Sequence, residues 1–447
     1  MGAFHAYDIR GIYNVDFNKD DVYKIGFYLP QLLETDEILV GRDVRTSSPE
    51  IFEYLCSGIT DAGADVFNIG LATTPMVYFA TSKYHFKASV QITASHNGRE
   101  YNGLKVSREN ALPVGFDTGL GELQKIIATQ TPSPSAKKGK IKTLNAKDDY
   151  LDFLKKYLGN YDNLRIGVDV SNGMAALLIK DLLGNKPVYI YDELDGTFPN
   201  HEANPLITEN VAALKKLVTD NRCDVGIIFD GDADRVMFVD EKANFVSPDL
   251  MIAVLGHYFL EGKGVKAKVL QDIRTSKAVG EYLQQFGAEM HTWRVGRAYA
   301  APKLREIDGL FGGELAGHFY FKDFFYSDSG MLACLIILDV IAAMKQKGIS
   351  LSELISRIGV YKNSGEMNFK IEDKKAAMDA VREYFVSTEE ATKTMDFDGY
   401  RIEFSDWWFN IRPSNTEPYL RFLAEAKTDE LLAEKVNKTQ EILKRFM

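Results

Sequence analysis

The pentapeptide Asp43-Val44-Arg45-Thr46-Ser47 recurs far downstream as Asp272-Ile273-Arg274-Thr275-Ser276, and this echo constrains the fold more than any other feature of the chain. Each copy follows an apolar, β-rich run (37–41 and 266–272) and precedes a helical pattern. Each pattern ends in a similar tripeptide, Gly63-Ala64-Asp65 or Gly287-Ala288-Glu289. A shared layout of that length points to duplicated α/β units. The alternation continues elsewhere: 49–55 reads as a helix, 165–170 as a strand, and Gly173 opens a helix predicted through Leu183. The expected class is therefore α/β.

Turn chemistry sets the boundaries. Thr131-Pro132-Ser133-Pro134-Ser135-Ala136-Lys137-Lys138-Gly139 reads as a linker, and breaks are expected near Val246-Ser247-Pro248 and Asn363-Ser364-Gly365. Four domains follow: 1–140, 141–245, 246–363 and 364–447. The last has a different character, with strands, a loop at 412–419 and a helix predicted over 428–446.

With 447 residues, 45% apolar and 26% charged, the chain has ample material for large cores. A formal charge of −10 and no basic stripe argue against nucleic acid or an anionic membrane as partner. An anionic small substrate would need a local cationic pocket. The three cysteines, Cys56, Cys223 and Cys334, are scattered and form no metal-binding spacing. The apolar run 331–338 stops at Asp339, too short to span a bilayer, and the N-terminus has no signal-peptide pattern. The expectation is a cytoplasmic protein with neither membrane nor nucleic-acid partner.

Four constellations carry chemistry. Thr93-Ala94-Ser95-His96-Asn97-Gly98 places a hydroxyl nucleophile on a turn directly after the apolar run 88–92. Ser95 does not read as a hydrolase serine, because adjacent residues rarely pair as nucleophile and base and the G-x-S-x-G elbow is absent. In Asp230-Gly231-Asp232-Ala233-Asp234-Arg235, carboxylates at i, i+2 and i+4 of an extended loop project to one side and repel one another unless a cation intervenes. An all-oxygen set of that size suits Mg²⁺ sharing its shell with a phosphate, whereas the EF-hand calcium pattern is not met. The competing reading is a solvated acidic turn. Arg235 adds a guanidinium suited to a phosphate. Arg412-Pro413-Ser414-Asn415-Thr416-Glu417, with Arg421 nearby, describes either a phosphate cradle or a Pro-containing hairpin turn. In Gly312-Gly313-Glu314-Leu315-Ala316-Gly317-His318, Glu314 and His318 can bond sugar hydroxyls or serve the structure alone. Arg274, Arg294 and Arg297 are further anion contacts or ordinary surface arginines, and Lys105 is a base, a charge partner or a solvated strand residue.

Together with Ala6-Tyr7-Asp8-Ile9-Arg10-Gly11, these motifs in this order resemble the α-D-phosphohexomutase superfamily, and within it the bacterial phosphomannomutase/phosphoglucomutase group. The resemblance runs from residue 6 to residue 421. It implies a heart-shaped monomer of four domains, three related α/β units with mixed sheets and a C-terminal α+β domain of the TATA-binding-protein-like type. It implies a phosphoserine at Ser95 and Mg²⁺ held by Ser95, Asp230, Asp232 and Asp234. The implied reaction moves a phosphoryl group between the 1 and 6 positions of mannose or glucose phosphate, through a hexose 1,6-bisphosphate that also acts as activator. Arg10, Lys105, His96, Arg235 and His318 would be catalytic, with Arg10 acting electrostatically because a guanidinium stays protonated. Tyr7, Arg274, Arg294, Arg297, Glu314 and His318 would contact the substrate, and Arg412, Ser414, Asn415, Thr416 and Arg421 would hold the phosphate that does not react. Two departures stand out: Ala316 replaces the serine usual in the dual-specificity group, and Arg297 lies in a region that often carries His. A phosphoglucosamine mutase is the nearest rival; a Mg²⁺-dependent sugar phosphatase and a non-catalytic phosphosugar-binding protein are rivals of other classes.

Overall fold

A computed structural model describes residues 2–414 and 418–447. Of the residues named above, Asn415, Thr416 and Glu417 lie outside the described set.

The first sheet contains β1 (Ile9–Ile12), β2 (Glu37–Arg42), β3 (Asp65–Leu71), β4 (Ala88–Ile92), β5 (Tyr101–Arg108) and β6 (Ile141–Thr143) in the order β1-β5-β4-β2-β3-β6. The second contains β7 (Ile166–Asp169), β8 (Val188–Ile190), β9 (Val225–Phe229), β10 (Val236–Asp240) and β11 (Phe245–Val246) in the order β11-β10-β9-β7-β8. The third contains β12 (Ala267–Asp272), β13 (Ala288–Trp293), β14 (Phe311–Gly313), β15 (Phe319–Phe321) and β16 (Ser327–Asp328) in the order β13-β12-β14-β15-β16. Superimposing the orders equates β2, β7 and β12. In each unit this strand runs parallel to both neighbours, and one neighbour (β4, β9 or β14) turns through a hairpin into an antiparallel strand.

The pentapeptide echo sits at equivalent places, since Asp43 follows β2 and Asp272 ends β12. Asp169 at the end of β7 is the third copy. In each case the carboxylate accepts the backbone N–H two residues on, from Arg45 (3.0 Å), Ser171 (2.9 Å) and Arg274 (2.6 Å). This Asx turn lets the chain leave the strand toward the next helix. The duplication is thus a triplication whose middle copy has lost the sequence signal.

The fourth unit is an antiparallel α+β sheet. Its strands are β17 (Lys362–Asn363), β18 (Met367–Phe369), β19 (Lys393–Met395), β20 (Tyr400–Glu403), β21 (Trp407–Pro413) and β22 (Leu420–Ala426), with order β17-β22-β21-β20-β19 and β18 also on β22. Helices Lys374–Thr388 and Asp429–Leu443 close it, and Phe385, Trp407, Phe409 and Leu443 form its own core. One larger core instead joins residues of the first three units. The helix Thr74–Lys83 is buried on all sides within that junction. So is most of the helix Gly330–Gln346, which accounts for the long apolar run as core rather than membrane span. No helix among the described residues is long and apolar enough to cross a membrane.

Three local expectations change. β6, assigned by sequence to the second unit, pairs in parallel with β3 and belongs to the first sheet. The linker before it is tied down, with Ser135 N–H donating to Asp61 (2.7 Å) and Gly139 N–H to Thr60 (2.9 Å). β17 likewise pairs with β22, so the fourth sheet begins before residue 364. The helix expected over 173–183 is split into a 3-10 turn Met174–Leu177 and a short helix Ile179–Leu183. Met174 N–H donates to the Gly231 carbonyl (2.9 Å), so docking on the Asp230 loop overrides regular winding.

His201 shows how this loop-rich second unit is anchored. Its Nε2 lies 3.1 Å from Asp169 Oδ2 and its Nδ1 2.8 Å from the Glu202 carbonyl, an arrangement that suits two N–H donors. Burial works against the imidazolium, but the Asp169 carboxylate and the carbonyl outweigh it and raise the pKa. A raised folded-state pKa gives stability that is full below the unfolded value of about 6.5 and lost as pH rises through the folded value. His201→Asn is therefore expected to lower the unfolding midpoint more at pH 6 than at pH 9; an equal loss at both would contradict this assignment.

Candidate active site

The three hairpin loops, 93–100, 230–235 and 314–318, meet through the Ser95–Asp230 and Arg235–His318 contacts, and the second and third line a cleft. Ser95 is buried and adopts φ +53°, as Ala233 adopts +60° at the centre of the second loop. Such conformations cost roughly 1–3 kcal/mol for residues other than glycine and persist only where surroundings enforce them. Ser95 Oγ donates to Asp230 Oδ2 at 3.0 Å, joining the first loop to the second. Gly231 permits that approach, because a Cβ there would stand 2.5 Å from the Ser95 carbonyl oxygen.

Asp230, Asp232 and Asp234 are fully buried, and one oxygen from each lies within 4.8 Å of the others. Asp232 Oδ1 and Asp234 Oδ1 have no hydrogen-bond partner among the described residues. Buried, acceptor-only oxygens left open beside a hydroxyl make a donor set that fits a hard divalent cation such as Mg²⁺. The rest of the charge is compensated by the protein. Lys105 Nζ bridges Asp232 (2.7 Å) and Asp234 (2.6 Å), and Thr74 Oγ1 donates to Asp232 at 2.5 Å. Burial, then the charges of Asp234 and Asp232, hold the Asp230 carboxyl well above the usual carboxylate range. Burial opposes ionisation of Asp234 as well, but the Lys105 ammonium leads the charges that outweigh it and keep its pKa low. Burial likewise disfavours the Lys105 ammonium, and the two aspartates more than reverse this, raising its pKa. Lys105 thus stands as the ion-pair partner of both aspartates.

His96 Nδ1 is 3.4 Å from Ser95 Oγ; burial, then Arg235, Arg10 and Lys105, hold its imidazole far below the usual range and keep it neutral. Arg10 donates to Asn97 Oδ1 (2.7 Å) and pairs with Asp8. Arg235 Nε donates to His318 Nε2 (2.9 Å), while His318 Nδ1 lies 2.7 Å from Asp328 Oδ2. Those partners define one tautomer, with the proton on Nδ1 and an accepting Nε2. Arg297 is committed to structure: it pairs with Asp328 (2.9 Å), donates to the Ala111 carbonyl (2.8 Å) and lies over the Tyr78 ring (3.6 Å). Glu314 accepts from Tyr320 Oη (2.5 Å) and Gly296 N–H (3.1 Å).

The cleft beside these loops holds about 150 Å³ of space for water-sized spheres, and Tyr7, Arg10, Lys105, Arg235, Arg274, Arg297, Glu314, Ala316 and His318 line it. Arg274 pairs with Asp272 (2.8 Å) and reaches toward Glu366 (3.9 Å), which also pairs with Arg421 (2.9 Å). Arg412 stands opposite Arg421 across β21 and β22 and binds Asp398 (3.2 Å). Ser414 N–H donates to the Tyr419 carbonyl (2.9 Å). Arg294 lies over Tyr299 (3.9 Å) and is not among the cleft-lining residues. Sequence reasoning missed Thr74, Tyr78 and Asp328. Each acts through a partner distant in sequence, and only the Thr-Pro helix start at 74–75 carries a local signal.

Comparison with known proteins gives the same outline. Phosphoglucomutase/phosphomannomutase α/β/α domains I, II and III match residues 1–133, 148–243 and 247–361, and the C-terminal domain of that group matches 366–441. The chain is 36% identical over 453 residues to a phosphomannomutase of Methanocaldococcus jannaschii, covering 99% of this chain and 98% of that one. It is 36% identical over 449 residues to a protein of Xanthomonas campestris pv. campestris named phosphohexose mutases, with the same coverage. A phosphoglucomutase/phosphomannomutase family protein of Burkholderia thailandensis superimposes with TM-score 0.87 at 25% identity, over 99% of this chain and 97% of that one.

The contact at Gly231 makes a direct test of the loop geometry. Gly231→Ala places a methyl against a backbone oxygen that cannot rotate away, so the Ser95 and Asp230 loops must separate. Misplacement of reacting groups by about 1 Å costs about 100-fold in rate. Turnover in this variant is expected to fall by that order, with an unfolding midpoint close to that of the unsubstituted protein; full turnover would contradict the contact.

Proposed function

Because the chain belongs to the phosphoglucomutase/phosphomannomutase family, whose members are phosphohexose-mutating isomerases, we propose that it interconverts hexose 1- and 6-phosphates through a phosphorylated Ser95. The observation that carries this reading is Ser95 Oγ at 3.0 Å from Asp230, one of three clustered buried carboxylates, of which Asp234 lines a cleft together with Arg10, Arg235, Arg274 and Arg297. Arginines beyond the reaction centre have no purpose in simple hydrolysis. A substrate with a phosphate at one end and a reacting hydroxyl at the other uses both regions.

In the proposed cycle the Ser95 Oγ–P bond breaks as a bond forms between phosphorus and the free sugar hydroxyl, giving a hexose 1,6-bisphosphate. The bisphosphate reverses in the cleft and returns its other phosphoryl group to Ser95 Oγ. Mg²⁺ bound by Asp230, Asp232, Asp234 and an oxygen on Ser95 would supply charge neutralisation for the phosphoryl group in transit. Lys105, Arg10 and Arg235 surround the same point with fixed positive charge. The sugar hydroxyl must lose its proton; His318 lines the cleft with Nδ1 held by Asp328, and its Nε2 takes that proton once Arg235 Nε turns from it toward the phosphoryl group. Arg274, Arg412, Ser414 and Arg421, with Asn415 and Thr416 of the same loop, are assigned to the phosphate that does not react. Glu314 is assigned to sugar hydroxyls, which its carboxylate can accept alongside Tyr320 and Gly296. Arg297 and Arg294 contribute less to this scheme than their sequence positions suggest, given their engagement with Asp328 and Tyr299.

The test is an assay with mannose 1-phosphate or glucose 1-phosphate, Mg²⁺ and a trace of glucose 1,6-bisphosphate. The 6-phosphates are expected to form, EDTA to stop the reaction and Ser95→Ala to abolish it. Free inorganic phosphate as the product would establish a phosphatase instead, and reaction of glucosamine 6-phosphate alone would establish the glucosamine mutase. Restoring the missing hydroxyl by Ala316→Ser is expected to shift the preference between the two hexoses by about fivefold, the effect of one hydrogen bond worth about 1 kcal/mol. Unchanged relative kcat/KM would remove position 316 from sugar selection.

A further inference from the structure

Arg45 takes no part in the chemistry above, yet four of its five N–H groups are spent on the chain around Ser95. Nη2 donates to the carbonyls of Ser95 (2.8 Å) and Asn97 (2.7 Å), and Nη1 to those of Gly98 (2.6 Å) and Tyr101 (3.0 Å). Nε donates to Asp43 (3.1 Å), and the side chain is fully buried. We propose that Arg45 is a positioning residue that holds the 95–101 loop in the conformation aiming Ser95 Oγ at the three carboxylates. The inference rests on the mutase reading for its effect on turnover, but not for its effect on the loop.

Four carbonyl oxygens turned toward one point repel one another unless a donor stands among them. A guanidinium is the side chain that can satisfy them in one plane while keeping an N–H for a counter-ion. The left-handed φ of +53° at Ser95 needs such enforcement, because serine gains nothing intrinsic from it. The clamp is itself fixed on two sides. Asp43 is held by Arg45 N–H (3.0 Å) and Ser48 Oγ (2.5 Å). From the second unit, the Phe198 ring lies 5.0 Å from the guanidinium carbon, and Gly196 bridges the Arg45 backbone. The unit that supplies the aspartates therefore also steadies the serine they address.

The internal repeat supplies a comparison. Arg274, at the equivalent position, turns Nε (3.2 Å) and Nη2 (2.8 Å) back on Asp272 and lines the cleft. Its neighbouring hairpin loop is held without it, by Leu315 N–H donating to Asp272 Oδ2 at 2.8 Å. One ancestral-looking position thus serves the nucleophile loop in the first unit and the cleft in the third.

The test compares the full-length protein with Arg45→Met, Arg45→Lys and Phe198→Leu. For Arg45→Met, kcat is expected to fall by about 100-fold, the scale of a misplaced reacting group, with KM nearly unchanged. Arg45→Lys, with three donors in place of five, is expected to fall between the two. Amide hydrogen exchange should accelerate in the peptide spanning 94–101 and stay unchanged in the 314–318 loop. A kcat equal to wild type, a KM rising in step with the loss of rate, or exchange accelerating evenly over the whole unit would overturn the proposal. If Arg45→Met does not fold, Phe198→Leu decides: several-fold lower kcat with faster 94–101 exchange supports the clamp, and no change in either overturns it. Should the wild type itself lack mutase activity, the preceding functional reading fails, while the exchange measurement still decides the clamp.

Discussion

Three aspartate carboxylates buried within 4.8 Å of one another are the constraint around which the first three units are organised. At an effective dielectric near 20, each ionised pair at that spacing repels by about 3 kcal/mol, before any penalty for leaving water. The fold meets this with Lys105 and Arg10 from the first unit and Arg235 from the same loop. Asp230 still carries a strongly raised pKa, so the protein's own charges do not fully satisfy the site. The open Oδ1 atoms of Asp232 and Asp234 leave that set suited to a divalent cation such as Mg²⁺.

The same plan, repeated three times, is put to three uses. Each unit delivers a hairpin loop to the site from the same place in its sheet. The loops carry, in turn, a buried serine hydroxyl, a set of carboxylates, and a glutamate–histidine pair. Repetition explains how three chemically different loops are brought together, because the four strands common to the sheets put each loop at the same hairpin, β4–β5, β9–β10 or β14–β15. Divergence at the strand-end arginine, Arg45 against Arg274, shows how the units parted in role while keeping their turns.

Much of this was legible in the sequence, for physical reasons. Asp230 to Arg235 lies between two apolar runs, so strand, loop and strand follow from hydropathy alone. Asp43 and Asp272 could be matched because their neighbours are alike. Asp169 could not, since Val170-Ser171-Asn172 shares only the turn and none of the side chains. The split of the helix after Gly173 was hidden because it depends on a hydrogen bond to Gly231, over fifty positions away. β6 and β17 were assigned across a boundary because a three- or two-residue strand has no periodicity of its own and is defined by its partner. In the site, Lys105 was visible as a lysine but not as a bridge between two aspartates. The commitment of Arg297 to Asp328 and Tyr78 carries no local mark at all.

The fourth unit has its own apolar core, which by itself would let it melt independently of the rest. Its polar contacts argue otherwise. Arg401 donates to the carbonyls of Ile273 (3.0 Å) and Thr275 (2.5 Å), and Glu425 accepts from Ser276 (2.7 Å), all buried in the joint with the third unit. Loss of structure in the C-terminal sheet would strip these partners from the chain on either side of Arg274, at a net cost of about 0.5–1.5 kcal/mol for each hydrogen bond exchanged for water. Denaturation of one unit is thereby felt in the other, and a chain with separate hydrophobic interiors acquires cooperativity through a few hydrogen bonds.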